Sequence, residues 1–284
     1  AFWAVGWTAA ALIGYVVIPN VDDGWRWAFA LGAIPAVYAL IVRWGLPESP
    51  RWLERQGRHA EAARVVATFE ASAAVAAPPA VAANAARRLS SLWSAEFRVR
   101  TAALWAVWFC VNFSYYGAFI WIPSILFAQG YDLVKSFGFT LIITLAQLPG
   151  YALAAWLIEV WGRRATLSVF LAGSAVSALI FGTATSEGVV IAAGMALSFF
   201  NLGAWGALYA ATPENYPTSL RATGSGWAAG VGRIASIIAP LSVPWLLRAG
   251  GTPLLFAVFG AFFVVAAAAT WGLADRRGVA LDDR

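Results

Sequence analysis

The sequence predicts an all-α membrane protein, and its composition and its long apolar runs are the observations behind this fold class. Of the 284 residues, 61% are hydrophobic and 12% are charged, and the mean hydropathy is +0.71. Soluble domains carry about 25% charged residues. Eight apolar runs reach the length of a membrane-spanning helix, about 20 residues. The runs lack the alternation of barrel strands, so they favour helices.

The eight predicted spans are Phe2 to Pro19, Trp27 to Leu46, Thr101 to Phe127, Ser136 to Val160, Ala165 to Thr185, Gly188 to Thr212, Ala222 to Leu247 and Thr252 to Leu273. Arginines gather in every second connection: the link of residues 47–100, the turn at Arg163 and Arg164, the turn at Arg221, and the tail. Arginine-rich connections face the cytoplasm. We therefore expect a multi-pass protein of the cytoplasmic (inner) membrane with both chain ends in the cytoplasm.

Charge and residue counts argue against several classes of function. The net charge of +5 comes from arginines in the connections, so it indicates membrane orientation and not a nucleic-acid partner. Cys110 is the single cysteine, which leaves no intrachain disulfide and no thiolate metal site. His59 is the single histidine and no nucleophile–base pair is predicted in a cavity. We expect no catalytic residues, no metal, no cofactor and no enzyme activity.

The long link divides the chain into four parts. Residues 1–46 hold two spans, residues 47–100 form a cytoplasmic linker, residues 101–273 hold six spans, and residues 274–284 are a cytoplasmic tail. Leu53 to Ala71 has the composition of a surface helix. The alanine-rich stretch from Ala73 to Ala86 is expected to be a mobile hinge. The first residues already resemble a helix interior, so we expect the natural N-terminus to lie upstream.

Arg233 is the most informative residue, because it lies inside the apolar run from Trp227 to Leu247. It follows Arg221 by twelve residues, which places it roughly 18 Å into a hydrocarbon layer about 30 Å thick. A charge at that depth normally faces a cavity or a partner, and no acidic residue is predicted at matching depth. We interpret Arg233 as a binding group for an organic anion. The alternative is a structural role, with helix-end carbonyls or a carboxylate outside this chain as partner.

Two further spans carry polar and aromatic residues at helical spacing. Stacked aromatic surface with a few hydrogen-bonding groups suits a small planar carboxylate, although the same residues also occur in ordinary cores and interfacial belts. The predicted substrate-binding residues are Arg233, with Asn112, Tyr115 and Tyr116 of the third predicted span, Asn201 and Trp205 of the sixth, and Gln147 of the fourth as a further candidate. The tryptophans that flank the first loop are predicted to be belt residues, namely Trp3, Trp7, Trp25 and Trp27.

Three turns resemble signatures of the major facilitator superfamily. They are Pro47-Glu48-Ser49-Pro50-Arg51-Trp52-Leu53, the Gly162-Arg163-Arg164 turn after Glu159, and Glu214-Asn-Tyr-Pro217-Thr-Ser-Leu-Arg221. In that superfamily such turns follow helix six, join helices eight and nine, and join helices ten and eleven. The resemblance implies a twelve-helix, two-bundle carrier, of which this chain would hold helices five to twelve. Helices one to four would then be missing partners of this chain.

The same turns predict a gate at the cytoplasmic helix ends. In a rocking carrier these ends hold together in one state and part in the other, and reversible ion pairs suit that task. The alternative is that the charges anchor helix ends and set topology. The predicted pairs are Glu48 with Arg51, Glu159 with Arg163 or Arg164, and Glu214 with Arg221.

The segment from Arg221 to Arg233 is also similar to helix eleven of organic anion carriers and of bacterial aromatic-acid and niacin symporters, where an arginine at this spacing is implicated in anion binding. The resemblance implies secondary transport of a small aromatic carboxylate across the lipid bilayer by alternating access, with a proton as coupling ion. A sugar porter is the second interpretation, but the Gln-Gln signature of that group is missing at residues 111–115. A transporter-like sensor or a nonfunctional remnant is the third.

Overall fold

The structure is a computed structural model that describes residues 2–70 and 89–274. Within these ranges the chain is helical and contains no strand. The helices are α1 (Phe2–Asn20), α2 (Gly24–Gly32), α3 (Ile34–Gly45), α4 (Pro50–Arg55), α5 (His59–Glu70), α6 (Arg98–Phe119), α7 (Ile122–Ala128), α8 (Leu133–Leu145), α9 (Gln147–Trp161), α10 (Arg163–Thr183), α11 (Glu187–Glu214) and α12 (Thr218–Ala269), with short 3₁₀ helices at Leu89–Trp93 and Thr270–Gly272.

The eight predicted spans are all represented in the described residues. Six helical stretches are long and apolar enough to cross a membrane, and the bent pair of α6 and α7 provides a seventh. One of the six contains α12, whose 52 residues would extend about 78 Å as a straight helix. Its backbone leaves the helical conformation at Gly250 and Gly251, and Gly251 has a φ of 67°, which glycine adopts without strain. This break separates the span predicted from Ala222 to Leu247 from the span predicted from Thr252 to Leu273.

Several predicted spans consist of two helices. The span predicted from Thr101 to Phe127 bends by 44° between α6 and α7, and Pro123 in the first turn of α7 has no N–H to donate.

The predicted surface helix from Leu53 to Ala71 is wrong as a single element. It is divided into α4 and α5 at Gly57, which has a φ of 74°. This left-handed backbone conformation, which glycine adopts without strain, ends a helix.

The chain forms two compact units. The smaller one comprises Asp23–Asn84 and contains α2 to α5. Within it, the exposed Arg58 lies 2.6 Å from Glu61 (Nη2 to Oε2) and 5.9 Å from the centroid of the Trp52 ring. The hydrogen bond from Arg58 lowers the pKa of the Glu61 carboxyl below its ordinary value. The predicted division between helical bundles at residue 46 remains a prediction. The compact units divide after Asp22, so α1 belongs to the larger unit, whereas α2 and α3 belong to the smaller one.

The larger unit comprises Ala1–Asp22 and Ala85–Arg284, and it contains the candidate site. In it α1 packs on α8, α6 packs on α12, and α9 packs on α11. Gly150 of α9 meets the backbone of Phe199, and Gly203 of α11 meets the carbonyl oxygen of Gly150. Nearer the start of both elements, Gly194 of α11 meets the side chain of Ile143 of α8. The α8–α9 pair and α11 therefore run in the same direction, with backbones in close contact.

Candidate functional site

A pocket opens between α1, α6, α9, α11 and α12 in the larger unit. Its open volume is about 400 Å³, including the part that is continuous with solvent. Six of the eight lining residues are aromatic, and one is a cation. The lining residues are Trp3, Tyr115, Tyr116, Tyr151, Leu202, Trp205, Tyr209 and Arg233.

Arg233 brings a positive charge to this pocket. Its Nη1 atom donates a hydrogen bond to the hydroxyl of Tyr116 at 3.1 Å. Among the described residues no carboxylate lies within 4.0 Å of Arg233, whereas other cations of the chain do have acidic partners. The guanidinium charge is therefore not neutralised by the described part of the chain, and an anion in the pocket would compensate it.

Tyr115 connects the pocket to α1. The indole Nε1 of Trp3 donates to its hydroxyl at 2.9 Å. The Tyr115 ring is buried, and its centroid lies 5.2 Å from that of Tyr116 and 5.8 Å from that of Trp205, both edge to face. Edge-to-face rings in this range attract each other, so the three side chains form one aromatic wall.

Trp205 and Tyr209 form the adjoining wall on α11. Their rings stack with centroids 5.6 Å apart, and Trp108 meets both rings edge-on. The Nε1 atom of Trp108 donates to Thr212 at 3.0 Å, whereas the Nε1 atom of Trp205 is buried and has no hydrogen-bond partner in the described residues. Trp205 therefore carries a free donor beside the pocket.

Four of the seven predicted substrate-binding residues line the pocket: Arg233, Tyr115, Tyr116 and Trp205. The other three do not. Asn112 is buried and donates through Nδ2 to the carbonyl of Trp108 at 2.7 Å, in its own helix. Gln147 and Asn201 are fully buried, and both amide groups lack partners in the described residues.

Gln147 and Asn201 nevertheless lie next to the pocket along their helices. Gln147 is four residues before Tyr151 and Asn201 is four residues before Trp205, so each shares a face with a lining residue. Because the α8–α9 pair and α11 run in the same direction, both amides lie on the same side of the pocket. Their roles in binding remain predictions.

Sequence reasoning missed four lining residues: Trp3, Tyr151, Leu202 and Tyr209. The prediction that Trp3 is a belt residue is wrong, because its indole bonds to Tyr115 inside the pocket. Helical spacing gave a signal for two of the others. Tyr209 follows Trp205 by four residues, and Tyr151 follows Gln147 by four.

The charged turns meet in a second cluster at one end of the larger unit. Nε of Arg163 lies 3.0 Å from Glu214, and its Nη2 lies 3.2 Å from Glu159. The side chains of Arg163 and Glu214 are 16% and 17% exposed, whereas that of Glu159 is 71% exposed. Of the two pairs, Arg163 with Glu214 is the one shielded from solvent. It joins the ends of α10 and α11.

The remaining gate residues have other partners. Glu214 was predicted to pair with Arg221, but Arg221 donates from Nε to the carbonyl of Pro213 at 3.1 Å. This carbonyl belongs to the last turn of α11, where backbone oxygens lack helical partners. Arg164 lies 5.0 Å from the centroid of the Trp271 ring and not on Glu159. The Glu48 side chain is exposed, and the side chain of Arg51 lies outside the described residues.

Long apolar helices around an aromatic pocket with a cation in its wall are typical of a membrane carrier. Residues 1–273 match the family described as "Sugar (and other) transporter". The chain belongs to this family of transporters, and its described part carries several helices long and apolar enough to cross a membrane.

Two curated relatives and one solved structure resemble the chain closely enough to compare. "Niacin transporter NiaP" of Acinetobacter baylyi is 46% identical over 253 residues, which are 87% of this chain and 57% of that protein. The "Putative niacin/nicotinamide transporter NiaP" of Bacillus subtilis is 48% identical over 242 residues, 85% of this chain and 54% of that protein. The chain thus spans little more than half the length of these relatives.

The solved structure is that of the xylose transporter XylE from E. coli in a partially occluded inward-open conformation. It matches with a TM-score of 0.68 and 19% identity, and the match covers 98% of this chain and 62% of XylE. This likeness shows the shared fold.

Proposed function

We propose that this chain is the helix-five-to-twelve part of a carrier that moves a small aromatic carboxylate across the cytoplasmic membrane by alternating access. The observation that carries the proposal is Arg233. Its charge has no acidic partner in the described residues, and it lines a pocket whose other walls are mainly aromatic. A guanidinium binds a carboxylate through two parallel hydrogen bonds, and flat aromatic walls accept a flat ring.

The comparisons support the same substrate class. The name of the Acinetobacter relative is that of a niacin transporter, and niacin is a pyridine carboxylate. A hexose is the second candidate, because the family includes sugar transporters. We rank it lower, since a neutral sugar would leave the charge of Arg233 uncompensated in the membrane.

Gating and coupling belong to the same proposal. We assign Arg163 and Glu214 to a contact that holds α10 and α11 together at the cytoplasmic face while the bundles rock. The proton is the proposed coupling ion. No acidic residue lines the pocket in the described part of the chain, so we place the proton-carrying group in the four helices that would precede this chain. Both chain ends are proposed to be cytoplasmic.

The test is uptake into vesicles that contain the complete carrier. Labelled nicotinate and benzoate should accumulate, and excess glucose should not compete. Arg233→Lys keeps the charge but loses the two-pronged geometry, so we expect its affinity for the acids to fall about tenfold. Arg248→Lys is the matched control, because Arg248 lies on the same helix, is exposed and does not line the pocket.

Two results would contradict the proposal. The first is hexose uptake without acid uptake, which would favour the sugar porter. The second is equal acid affinity of the Arg233→Lys variant and the wild type. Acid binding without accumulation would instead favour a sensor.

A further inference from the structure

Every polar side chain that lines the pocket carries a hydrogen-bond donor. Tyr115 accepts from Trp3, and Tyr116 accepts from Arg233. A phenol that accepts a hydrogen bond still has its own proton to donate. Arg233 has further N–H groups beyond the one that bonds to Tyr116, and a guanidinium accepts nothing. These three side chains therefore offer donors to whatever lies between them.

Trp205 adds a donor of a different kind. Its side chain is 7% exposed, its Nε1 atom is buried, and no acceptor in the described residues bonds to it. An indole N–H can only donate. A buried donor without a partner is unfavourable, and a ligand group that accepts from it would remove this cost. The neighbouring Trp108 shows the contrast, because its Nε1 already donates to Thr212.

Two groups of donors adjoin Tyr115. The ring of Tyr116, whose hydroxyl bonds to Arg233, lies 5.2 Å from the Tyr115 ring, and the ring of Trp205 lies 5.8 Å from it, as centroid distances. Among the described residues, no carboxylate, carboxamide or histidine lines the pocket. A ligand therefore meets several donors, and the side-chain groups that can accept from it are phenol hydroxyls.

We infer that Trp205 is a specificity-determining residue whose indole N–H recognises a second hydrogen-bond acceptor, remote from the carboxylate, on the substrate's aromatic ring. The substrate class is an aromatic acid whose ring contains an unprotonated acceptor, such as a pyridine nitrogen. This inference rests on the proposed function, in which Arg233 and Tyr116 bind the carboxylate.

The inference ranks three acids of similar shape. Nicotinate presents a ring nitrogen that accepts, benzoate presents a C–H at the same position, and 3-aminobenzoate presents a group that mainly donates. Sites that offer a hydrogen bond reject analogues that leave it unmade more strongly than they reject analogues that differ by apolar groups. The order of affinity is therefore nicotinate, then benzoate, then 3-aminobenzoate.

The experiment measures the dissociation constants of the three acids for the purified complete carrier and for two variants. In the wild type we expect nicotinate to bind about tenfold more tightly than benzoate. In Trp205→Phe the aromatic face remains and the N–H is lost, so nicotinate weakens about tenfold and benzoate stays within about twofold. Trp108→Phe is the control, since it removes a tryptophan of the same cluster whose N–H is already bonded, and it keeps the ratio of nicotinate to benzoate.

The outcomes separate the inference from the proposed function. Equal dissociation constants of nicotinate and benzoate for the wild type overturn the inference before any variant is measured. This result does not contradict the proposed transport of aromatic acids. A Trp205→Phe variant that weakens both acids equally also overturns it. If neither acid binds the wild type, the proposed function fails and the inference fails with it.

Discussion

Tyr116 and Arg233 share one hydrogen bond, and it sets the direction of the guanidinium. A guanidinium on a flexible stem loses conformational freedom when it binds a carboxylate, and a residue that holds it in place beforehand reduces that loss. Tyr116 also has its own proton to donate to the same carboxylate. The pair therefore acts as a unit in the proposed binding of the acid.

Replacing Tyr116 by phenylalanine should weaken nicotinate and benzoate to a similar extent, by about tenfold, because the carboxylate loses one donor and Arg233 loses its positioning partner. Binding of labelled acid to the complete carrier checks this. Tyr131→Phe is the matched control: Tyr131 lies beside Lys135, away from the pocket, and its variant should bind like the wild type. Unchanged affinity in Tyr116→Phe would remove Tyr116 from the binding set.

Helical spacing in the sequence predicts which residues share a face, but not which neighbour that face meets. Spacing and depth indicate Tyr115, Tyr116, Trp205 and Arg233, and all four line the pocket. The same spacing indicates Asn112, yet its amide bonds to its own helix beside Gly232 of α12. The spacing of residues in α1 does not indicate that the indole of Trp3 reaches Tyr115. The sequence alone therefore favours Trp3 as a residue of the interfacial aromatic belt. Rotation of a helix about its axis is decided by tertiary packing.

The contact between α9 and α11 depends on two glycines. A Cβ atom at Gly203 would lie 3.0 Å from the carbonyl oxygen of Gly150 and would collide with the ring of Phe170 of α10, and one at Gly150 would collide with the backbone of Phe199. Backbone cannot rotate away as a side-chain tip can, so the second collision must separate the helices. At Gly226 of α12, by contrast, an added Cβ atom would meet no atom of the described chain within 4 Å.

We expect Gly150→Ala to destabilise the protein by about 1–3 kcal/mol through overpacking. Gly226→Ala is the control, and it should be neutral or stabilising by up to about 1 kcal/mol, since alanine is the better helix former. Thermal unfolding of the purified carrier in detergent compares the two variants. The packing interpretation is wrong if both variants melt at the same temperature.

The ion-pair cluster at the ends of α10 and α11 gives a second prediction about elements. Arg163 and Glu214 are mostly shielded from solvent, so Glu214→Gln should lower stability by about 1–2 kcal/mol. Glu159→Gln should change it by less than about 0.5 kcal/mol, because that carboxylate is largely exposed. The difference between the two melting temperatures is the measurement, and a larger loss in Glu159→Gln would contradict the assignment.

Element boundaries were predictable where special residues act alone. Gly250 and Gly251 separate two apolar runs, and the break in α12 lies there. Gly57 was not recognised as the end of α4, although glycine with positive φ commonly ends a helix. The Glu214 pairing failed for another reason: Arg163 and Glu214 are distant in sequence, and only packing of α10 on α11 brings them together.

For the whole molecule, the arginine distribution predicts which connections face the cytoplasm. Cys110 is buried, so the chain offers a low background for labelling of introduced cysteines. We expect Ser186→Cys to react with a membrane-impermeant maleimide on intact cells, and Ser94→Cys to react only after permeabilisation. The reverse pattern would show that the predicted orientation is inverted.

The parallel contact of α9 with α11 has a mechanical consequence. Tyr151 and Trp205 project from two helices whose main chains touch, so these two helices are expected to move together. Trp3 of α1 donates one hydrogen bond to Tyr115, while other residues of α1 pack on α8. In the proposed transport cycle, a solute would therefore displace the side chain of Trp3 more readily than it would separate α9 from α11.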